Sequence, residues 1–220
     1  MIRSIRALLA KELSMELRTR YILNTVLAFS AASLLLILFT LRADQLDPTP
    51  RSGLVWIIIL FAAMAGMARS FVAESDQKTW DLLRLHGRAS DIYLGKLLYN
   101  TLFLLSLNLF TFLLYLFLMN SAVADGFYLF LAIFFGALGL ASVTTLTSAM
   151  IARADRRGAI FSVLSIPLLV PLLLILTRVT RVALVGGADG ETLSDTMALI
   201  GYAGVTVTTG LLLFDYIWEE

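Results

Sequence analysis

Residues 126–152 read GFYLFLAIFFGALGLASVTTLTSAMIA and contain no charged side chain. A hydrocarbon core about 30 Å thick requires about 20 residues of α-helix, because each residue adds about 1.5 Å. The stretch can therefore cross a bilayer, and it is too evenly apolar for an alternating barrel strand. Six such uncharged stretches occur, at 21–41, 52–68, 97–124, 126–152, 158–177 and 196–214. The sequence predicts an all-α, polytopic membrane protein with six transmembrane helices.

The composition excludes several classes of function. Hydrophobic residues make up 59% of the 220 residues, and the net charge of +1 leaves no basic surplus for a nucleic-acid-binding surface. Because the chain has no cysteine and one histidine, His86, it offers no thiolate nucleophile and no multi-His metal site. No span contains a nucleophile–base pair or an acidic dyad. We therefore expect no nucleic-acid partner, no metal site and no catalytic residue.

The distribution of basic residues predicts the orientation of the chain. Of 17 Lys and Arg residues, 13 lie in the alternate segments 1–20, 69–96 and 153–157. Since Lys and Arg accumulate on the cytoplasmic side, both termini and the turn that carries Arg156 and Arg157 are predicted to be cytosolic. The loops are too short to fold independently, so residues 1–220 form a single transmembrane domain. No Walker A sequence is present, so ATP hydrolysis would require a partner.

The N-terminal segment has the pattern of an interfacial helix. Apolar residues recur within 1–20 at steps of three and four, at Ile2, Ile5, Leu9, Leu13 and Leu17. This spacing is typical of an amphipathic helix that lies on the membrane. Such a helix can anchor the topology, or it can be an elbow that supports a cytosolic partner.

Residues 70–96 form the longest polar stretch between spans. No turn residue follows span 2 at Arg69, so its helix is predicted to continue into the cytoplasm. Asp76 can then cap a second short helix whose apolar face includes Trp80 and Leu83. A cytosolic protein could bind this helix; the alternative is a connector whose Trp80 dips into the lipid interface.

The spans contain features of helix packing and none of ion coupling. No Asp, Glu, Lys or Arg lies near a predicted midplane, which argues against an ion-coupled carrier. Asn108 lies deep enough to need a hydrogen-bond partner on another helix. Small residues recur every fourth position in span 4 and predict a close-packing face, inside the subunit or across a dimer, at Ala137, Ala141 and Thr145.

The region around span 5 has two further features. Pro167 and Pro171 each remove a backbone hydrogen bond, which predicts a kink that is either a static bend or a point of movement. Residues 178–195 are predicted to be a periplasmic loop, and 179–188 are apolar enough to re-enter the outer leaflet.

Three segments together resemble a known family. Residues 68–96 carry Phe71, Glu74, Thr79, Leu82, Leu83, Leu85 and Lys96 in that order. Residues 151–174 lead from Arg156-Arg157-Gly158 to SIPLLVPLLL, and the chain begins with the basic amphipathic helix. With these features the chain resembles the haem exporter protein B family, CcmB, the ABC-transporter permease subunit of bacterial cytochrome c maturation. The resemblance extends over nearly the whole chain, and wider type-2 ABC permeases share the 68–96 pattern more loosely.

The resemblance implies a type-2-like ABC permease in the bacterial inner membrane, with both termini in the cytosol. It implies a cytosolic ATPase partner that binds ATP, a haem-handling membrane protein, a small single-span membrane protein, a periplasmic haem chaperone and two copies of this chain. ATP hydrolysis would be coupled to haem delivery or to release of the haem-loaded chaperone. The residues expected to couple to the ATPase are Glu74, Asp76, Thr79, Trp80, Leu82, Leu83 and Arg84.

We expect haem to be held at the level of the complex and not by this chain. Cysteine is absent and His86 is predicted to be cytosolic, so the chain provides no axial ligand pair. Two other functions use the same features: an ABC permease for another hydrophobic or lipid-like substrate, and a membrane scaffold without transport. If deletion of the gene abolishes c-type cytochromes, the protein handles haem and is not a permease for another substrate. If the protein changes the rate of the ATPase, it is not a scaffold without transport.

Overall fold

The computed structural model describes residues 2–41, 46–68, 70–76, 88–152 and 157–219. This part of the chain contains seven helices of 18 residues or more, one helix of five residues and no strand. The helices are α1 (Ile2–Thr19), α2 (Tyr21–Leu41), α3 (Pro48–Met67), α4 (Val72–Asp76), α5 (Ala89–Leu118), α6 (Gly126–Ile151), α7 (Arg157–Val185) and α8 (Gly190–Glu219).

Six helices, α2, α3, α5, α6, α7 and α8, are long and apolar enough to cross a membrane. The prediction of six such helices is confirmed.

The two ends of the bundle are marked by contacts between helices. The hydroxyl of Ser90, near the start of α5, donates to Asp215, near the end of α8, at 3.4 Å. At the opposite end of the bundle, the Asp125 amide donates to the Ala183 carbonyl at 2.9 Å. We call the end of the bundle with Ser90 and Asp215 the α4 end, and the end with Asp125 and Ala183 the far end. Helix α1 and the end of α8 both lie at the α4 end.

The predicted loop at 178–195 is wrong. Helix α7 continues to Val185 and α8 begins at Gly190, so the connection is confined to 186–189. Gly186 and Gly187, with φ of +83° and +82°, end the helix in a conformation that favours glycine. Arg178 ends the uncharged stretch 158–177 but does not end the helix. A long cationic side chain within a membrane helix can extend to the interface.

The predicted continuation of span 2 into the cytoplasm is also wrong. Helix α3 ends at Met67, and the chain turns before α4. The Phe71 amide donates to the Ser148 hydroxyl at 3.0 Å, and that hydroxyl donates to the Ala68 carbonyl at 3.3 Å. The turn buries the Phe71 ring completely, 5.1 Å from the ring of Phe214. Burial of this ring accounts for the break in the helix.

Helix α6 lies at the centre and contacts α3, α4, α5, α7 and α8. Its small residues allow this approach, because a methyl group on Gly139 would lie 2.7 Å from Leu172. Its predicted packing residues Ala137, Ala141 and Thr145 are fully buried within this one chain. By contrast, 17% of the apolar stretch of α2 is buried, against 61% for α6. Helix α2 therefore lies at the periphery of the bundle.

The other predicted packing features lie on the inner helices. The Asn108 amide donates to the Ile133 carbonyl of α6 at 3.1 Å, so it does bond to a second helix. Pro167 and Pro171 lie inside α7, whose helical assignment continues through both. The indole of Trp56 donates to the Thr180 hydroxyl at 2.8 Å and ties α3 to α7.

An elbow joins α1 to α2. Arg20 has φ +51°, and the Glu16 carboxylate accepts a hydrogen bond from the Leu23 amide at 2.8 Å, in the first turn of α2. Helix α1 packs on α5, where Leu8 is so close to Gly95 that an added methyl group would lie 2.6 Å from it. The elbow thus places α1 across the α4 end of the bundle.

Candidate coupling site

The site is built around Lys96, which lies in the first part of α5 and is 1% exposed. Its ammonium donates to the Glu12 carboxylate at 2.9 Å, to the Ser70 carbonyl at 2.8 Å and to the Glu74 carboxylate at 3.3 Å. An ammonium group has three protons, so these bonds satisfy it fully. The buried cation is therefore held by α1, by the turn after α3 and by α4.

A second lysine completes the charge balance. Lys11 donates to the same oxygen of Glu74 at 2.9 Å. We call Lys11, Glu12, Glu74 and Lys96 the ionic cluster; it contains two cations and two anions. The Lys11 side chain is 40% exposed, whereas that of Glu74 is 6% exposed. The cluster is open to its surroundings on the Lys11 side and closed around Lys96.

A polar layer continues from the ionic cluster into the bundle. Asn100, one helical turn after Lys96, donates to the hydroxyls of Ser70 at 3.1 Å and Thr145 at 2.7 Å. Thr145 belongs to the small-residue face of α6 predicted from the sequence. This layer connects α5 to α6 beneath the point where the ionic cluster connects α5 to α4.

Aromatic rings surround the start of α4. The Lys96 ammonium lies 5.1 Å from the centre of the Phe71 ring. The ring of Phe214, on α8, lies 5.1 Å from that of Phe71, 5.2 Å from that of Tyr93 and 5.4 Å from that of Trp218. The turn before α4 is consequently fixed to α8 by apolar contacts, and α4 itself is fixed to α1 and α5 by charge.

Glu74 and Asp76, two of the residues predicted to couple to the ATPase, lie in α4. The side chain of Glu74 is buried and holds α4 against the bundle, whereas Asp76, the last residue of α4, is exposed. Thr79, Trp80, Leu82, Leu83 and Arg84 lie outside the described residues, as does Arg156 of the predicted cytosolic turn, and Arg157 begins α7. Within segment 70–96, the described residues Glu74 and Lys96 are thus held in the bundle by the ionic cluster.

Sequence reasoning missed the ionic cluster because it treated Lys96 as the boundary of span 3. The available signal was on α1, where Leu8 and Glu12 lie four residues apart on one face. That face is the one that meets α5, whereas Leu13 and Leu17 of the predicted apolar face are exposed. An acidic residue on a face that packs against another helix is rarely buried unless it is paired, so a cation on that helix is the expected partner.

The family model described as CcmB protein matches residues 3–214. The chain belongs to the CcmB family. Membership implies a haem-exporter ABC permease in cytochrome c maturation, with an ATPase partner and other components of that system. It also fits a multi-pass membrane protein and a subunit that is not itself catalytic. A search of curated proteins found no match.

The CcmB match includes the residues of the coupling site except Trp218. Residues 3–214 contain the ionic cluster, the Asn100 layer and the ring of Phe214. The resemblance stated from segments 68–96 and 151–174 is therefore confirmed at the level of the family.

Proposed function

We propose that this chain is the membrane subunit through which a cytosolic ABC ATPase drives cytochrome c maturation, and that the ionic cluster is the rigid joint of this coupling. The observation that supports it most is the position of Lys96, whose bonds join α1, α4 and the turn after α3. In this proposal ATP binds to the partner, both termini face the cytosol, and the membrane is the bacterial inner membrane.

The proposed transmission begins at segment 77–87, where the ATPase would press. A displacement there reaches α4 directly along the chain. Because Glu74 is paired with both Lys96 and Lys11, α4 cannot move alone without leaving a buried charge unpaired. Helix α5 therefore moves with it, and its 30 residues extend about 45 Å toward the far end.

The outcome of that movement is release of the haem-loaded periplasmic chaperone or delivery of haem to it. ATP can shift the membrane helices only by stabilising one arrangement over another, so the docking contacts must differ between two states. Haem is the cargo, carried by the haem-handling membrane protein together with the small single-span protein. This chain, present in two copies, contributes movement and no haem ligand.

The first test is the replacement of Trp80 and Leu83 by alanine within the intact complex. We expect ATP hydrolysis to continue while formation of c-type cytochromes falls, because the ATPase would no longer press on the joint. The measurements are ATP turnover of the purified complex and covalent haem in periplasmic cytochromes.

The matched control is Phe117→Ala with Leu113→Ala, which removes one aromatic and one leucine side chain from the exposed surface of α5. This control should mature cytochromes normally. Unchanged maturation in the Trp80 and Leu83 variant would contradict the docking position, and absence of an ATPase after purification in mild detergent would contradict the function itself.

A further inference from the structure

A cavity of about 540 Å³ lies inside the α1–α2 elbow, against α3 and α5. Its volume falls within the range of about 300–1,000 Å³ that is usual for sites of small ligands. One wall carries charged side chains, and the other is apolar, formed by Ile22, Val26, Ala65 and Met67. A cavity with one charged and one apolar wall suits a molecule that is itself amphipathic.

The charged wall is acidic. Its lining contains Glu12, Glu16 and Glu74 and one cation, Lys96, while Lys11 pairs with Glu74 from outside the lining, so that the excess carboxylate is Glu16. The three protons of Lys96 are already donated within the site, to Glu12, Glu74 and a backbone carbonyl. Glu16 accepts a hydrogen bond from the Leu23 amide, and no cationic side chain among the described residues pairs with it. The cavity thus retains negative charge for which the described chain provides no cation.

The cavity opens at a place that a membrane lipid could reach. It lies at the junction between α1, the predicted interfacial helix, and α2, the first helix long and apolar enough to cross a membrane. Its lining includes Met15, Tyr21 and Thr25, which are exposed at the surface of the protein. At this depth a lipid headgroup would meet the acidic wall, and the first part of an acyl chain would meet the apolar wall.

We propose that this cavity binds a membrane lipid with a primary ammonium headgroup, as in phosphatidylethanolamine, with the ammonium beside Glu16 and an acyl chain along Ile22 and Val26. An ammonium donates hydrogen bonds to a carboxylate, and such charge-assisted bonds are the strong ones. Anionic lipids and the propionates of haem are repelled by the same wall. The lipid fixes the angle between α1 and α2, independently of what the transporter carries.

The test is native mass spectrometry of the purified full-length protein with phosphatidylethanolamine, phosphatidylcholine or phosphatidylglycerol added in equal amounts. We expect retention in that order, because phosphatidylcholine has no ammonium proton to donate. Glu16→Gln should weaken binding of phosphatidylethanolamine about tenfold, the effect of losing one charge-assisted hydrogen bond. Glu191→Gln, which removes an exposed carboxylate at the far end, should leave it unchanged.

A second pair of variants tests the cavity without touching a charge. Ala65→Phe places a ring in the cavity and should abolish specific retention of phosphatidylethanolamine. Ala32→Phe, on the exposed surface of α2 and outside the lining, should not. This pair decides the matter if Glu16→Gln fails to fold, because Glu16 also caps α2.

Three results would overturn the proposal. The first is equal or better retention of phosphatidylglycerol, which would mean that the acidic wall does not select the headgroup. The second is retention that Ala65→Phe leaves intact, which would place the lipid elsewhere. The third is complete displacement of the lipid by soluble ethanolamine at equal concentration, which would mean that the acyl chain contributes nothing.

Discussion

Two polar groups along α5 differ in how completely they are paired. At the α4 end, Lys96 is buried and each of its protons has an acceptor. Toward the far end, where α5 meets α3, four buried polar atoms of described residues make no hydrogen bond of good geometry. They are Arg51 Nε, Asn108 Oδ1, Thr111 Oγ1 and the Tyr115 hydroxyl oxygen. Charge is thus satisfied where α5 meets α1 and α4, and hydrogen bonding is incomplete where it meets α3.

The difference indicates which part of the helix is fixed and which can adjust. Separating the ionic cluster would leave a charge buried, which costs several kcal/mol. Moving the four polar atoms that lie toward the far end breaks few hydrogen bonds. Beside Arg51 and Tyr115 there is also a cavity of about 10 Å³, which is near the lower limit for one water molecule. In the proposed transmission, a push on α4 would therefore move α5 as a unit, and contacts would rearrange most easily at the far end.

The largest expected effect is that of Lys96→Met. The substitution keeps the volume but leaves Glu12 and Glu74 with one partly exposed lysine, so we expect a loss of about 3 kcal/mol in the free energy of unfolding. Lys11→Met, at the exposed side of the same cluster, should cost less than about 1 kcal/mol. Denaturant titration in detergent measures both. Equal losses would mean that burial does not distinguish the two lysines.

The next effect compares one substitution at two places on α5. Asn100→Leu loses bonds to two hydroxyls and should cost about 1–2 kcal/mol, whereas Asn108→Leu loses one bond and an unpaired oxygen and should cost less than about 0.5 kcal/mol. The same titration applies to both variants. The reverse ranking would show that the far end is the better paired of the two.

A smaller effect is expected of Tyr115→Phe. Since its hydroxyl makes no hydrogen bond of good geometry among the described residues, where Ser121 is a weak polar neighbour, removal should change stability by less than about 0.5 kcal/mol. Tyr202→Phe is the control, because the Tyr202 hydroxyl donates to the Leu168 carbonyl at 2.5 Å. That variant should lose about 1 kcal/mol. A large loss at Tyr115 would mean that a bound water or partner completes its hydrogen bonding.

The smallest effect concerns the pH dependence of the exposed cap of α8. The Thr192 amide and hydroxyl donate to the Asp189 carboxylate at 2.9 Å and 2.8 Å and hold its pKa below the ordinary 3.8. A lowered pKa in the folded state means that the cap stabilises the protein above pH 3.8 and loses this contribution as the pH falls through the folded value. Asp189→Asn should be slightly less stable than the parent at neutral pH and should approach it in acid. A difference independent of pH would contradict this.

The sequence predicted the parts of the fold that depend on local composition. The six uncharged stretches became six long apolar helices, because insertion in lipid depends on the residues within one stretch. One error occurred where a charged residue was taken as a helix end, and the other where the helix of span 2 was predicted to continue beyond Arg69. Arg178 lies inside α7, and the Gly186–Gly187 pair that does end it was visible in the sequence.

The candidate site was only partly predictable. Glu74 was selected, and the packing face that contains Thr145 was recognised from its small residues. The burial of Glu74 was not predicted, because it depends on how the chain turns at Phe71. That turn is decided by the burial of one aromatic ring against Phe214, a residue far away in sequence.

The sequence by itself thus determined six membrane-crossing helices, a predicted orientation and, through its motifs, the family. Only the tertiary structure decided that Lys96 is buried, that it pairs with Glu12 across 84 residues and with Glu74 across 22 residues, and that a cavity lies beside them. The physical reason is that transfer into lipid sums over neighbouring residues, whereas ion pairs and cavities depend on distances between helices that local composition does not set.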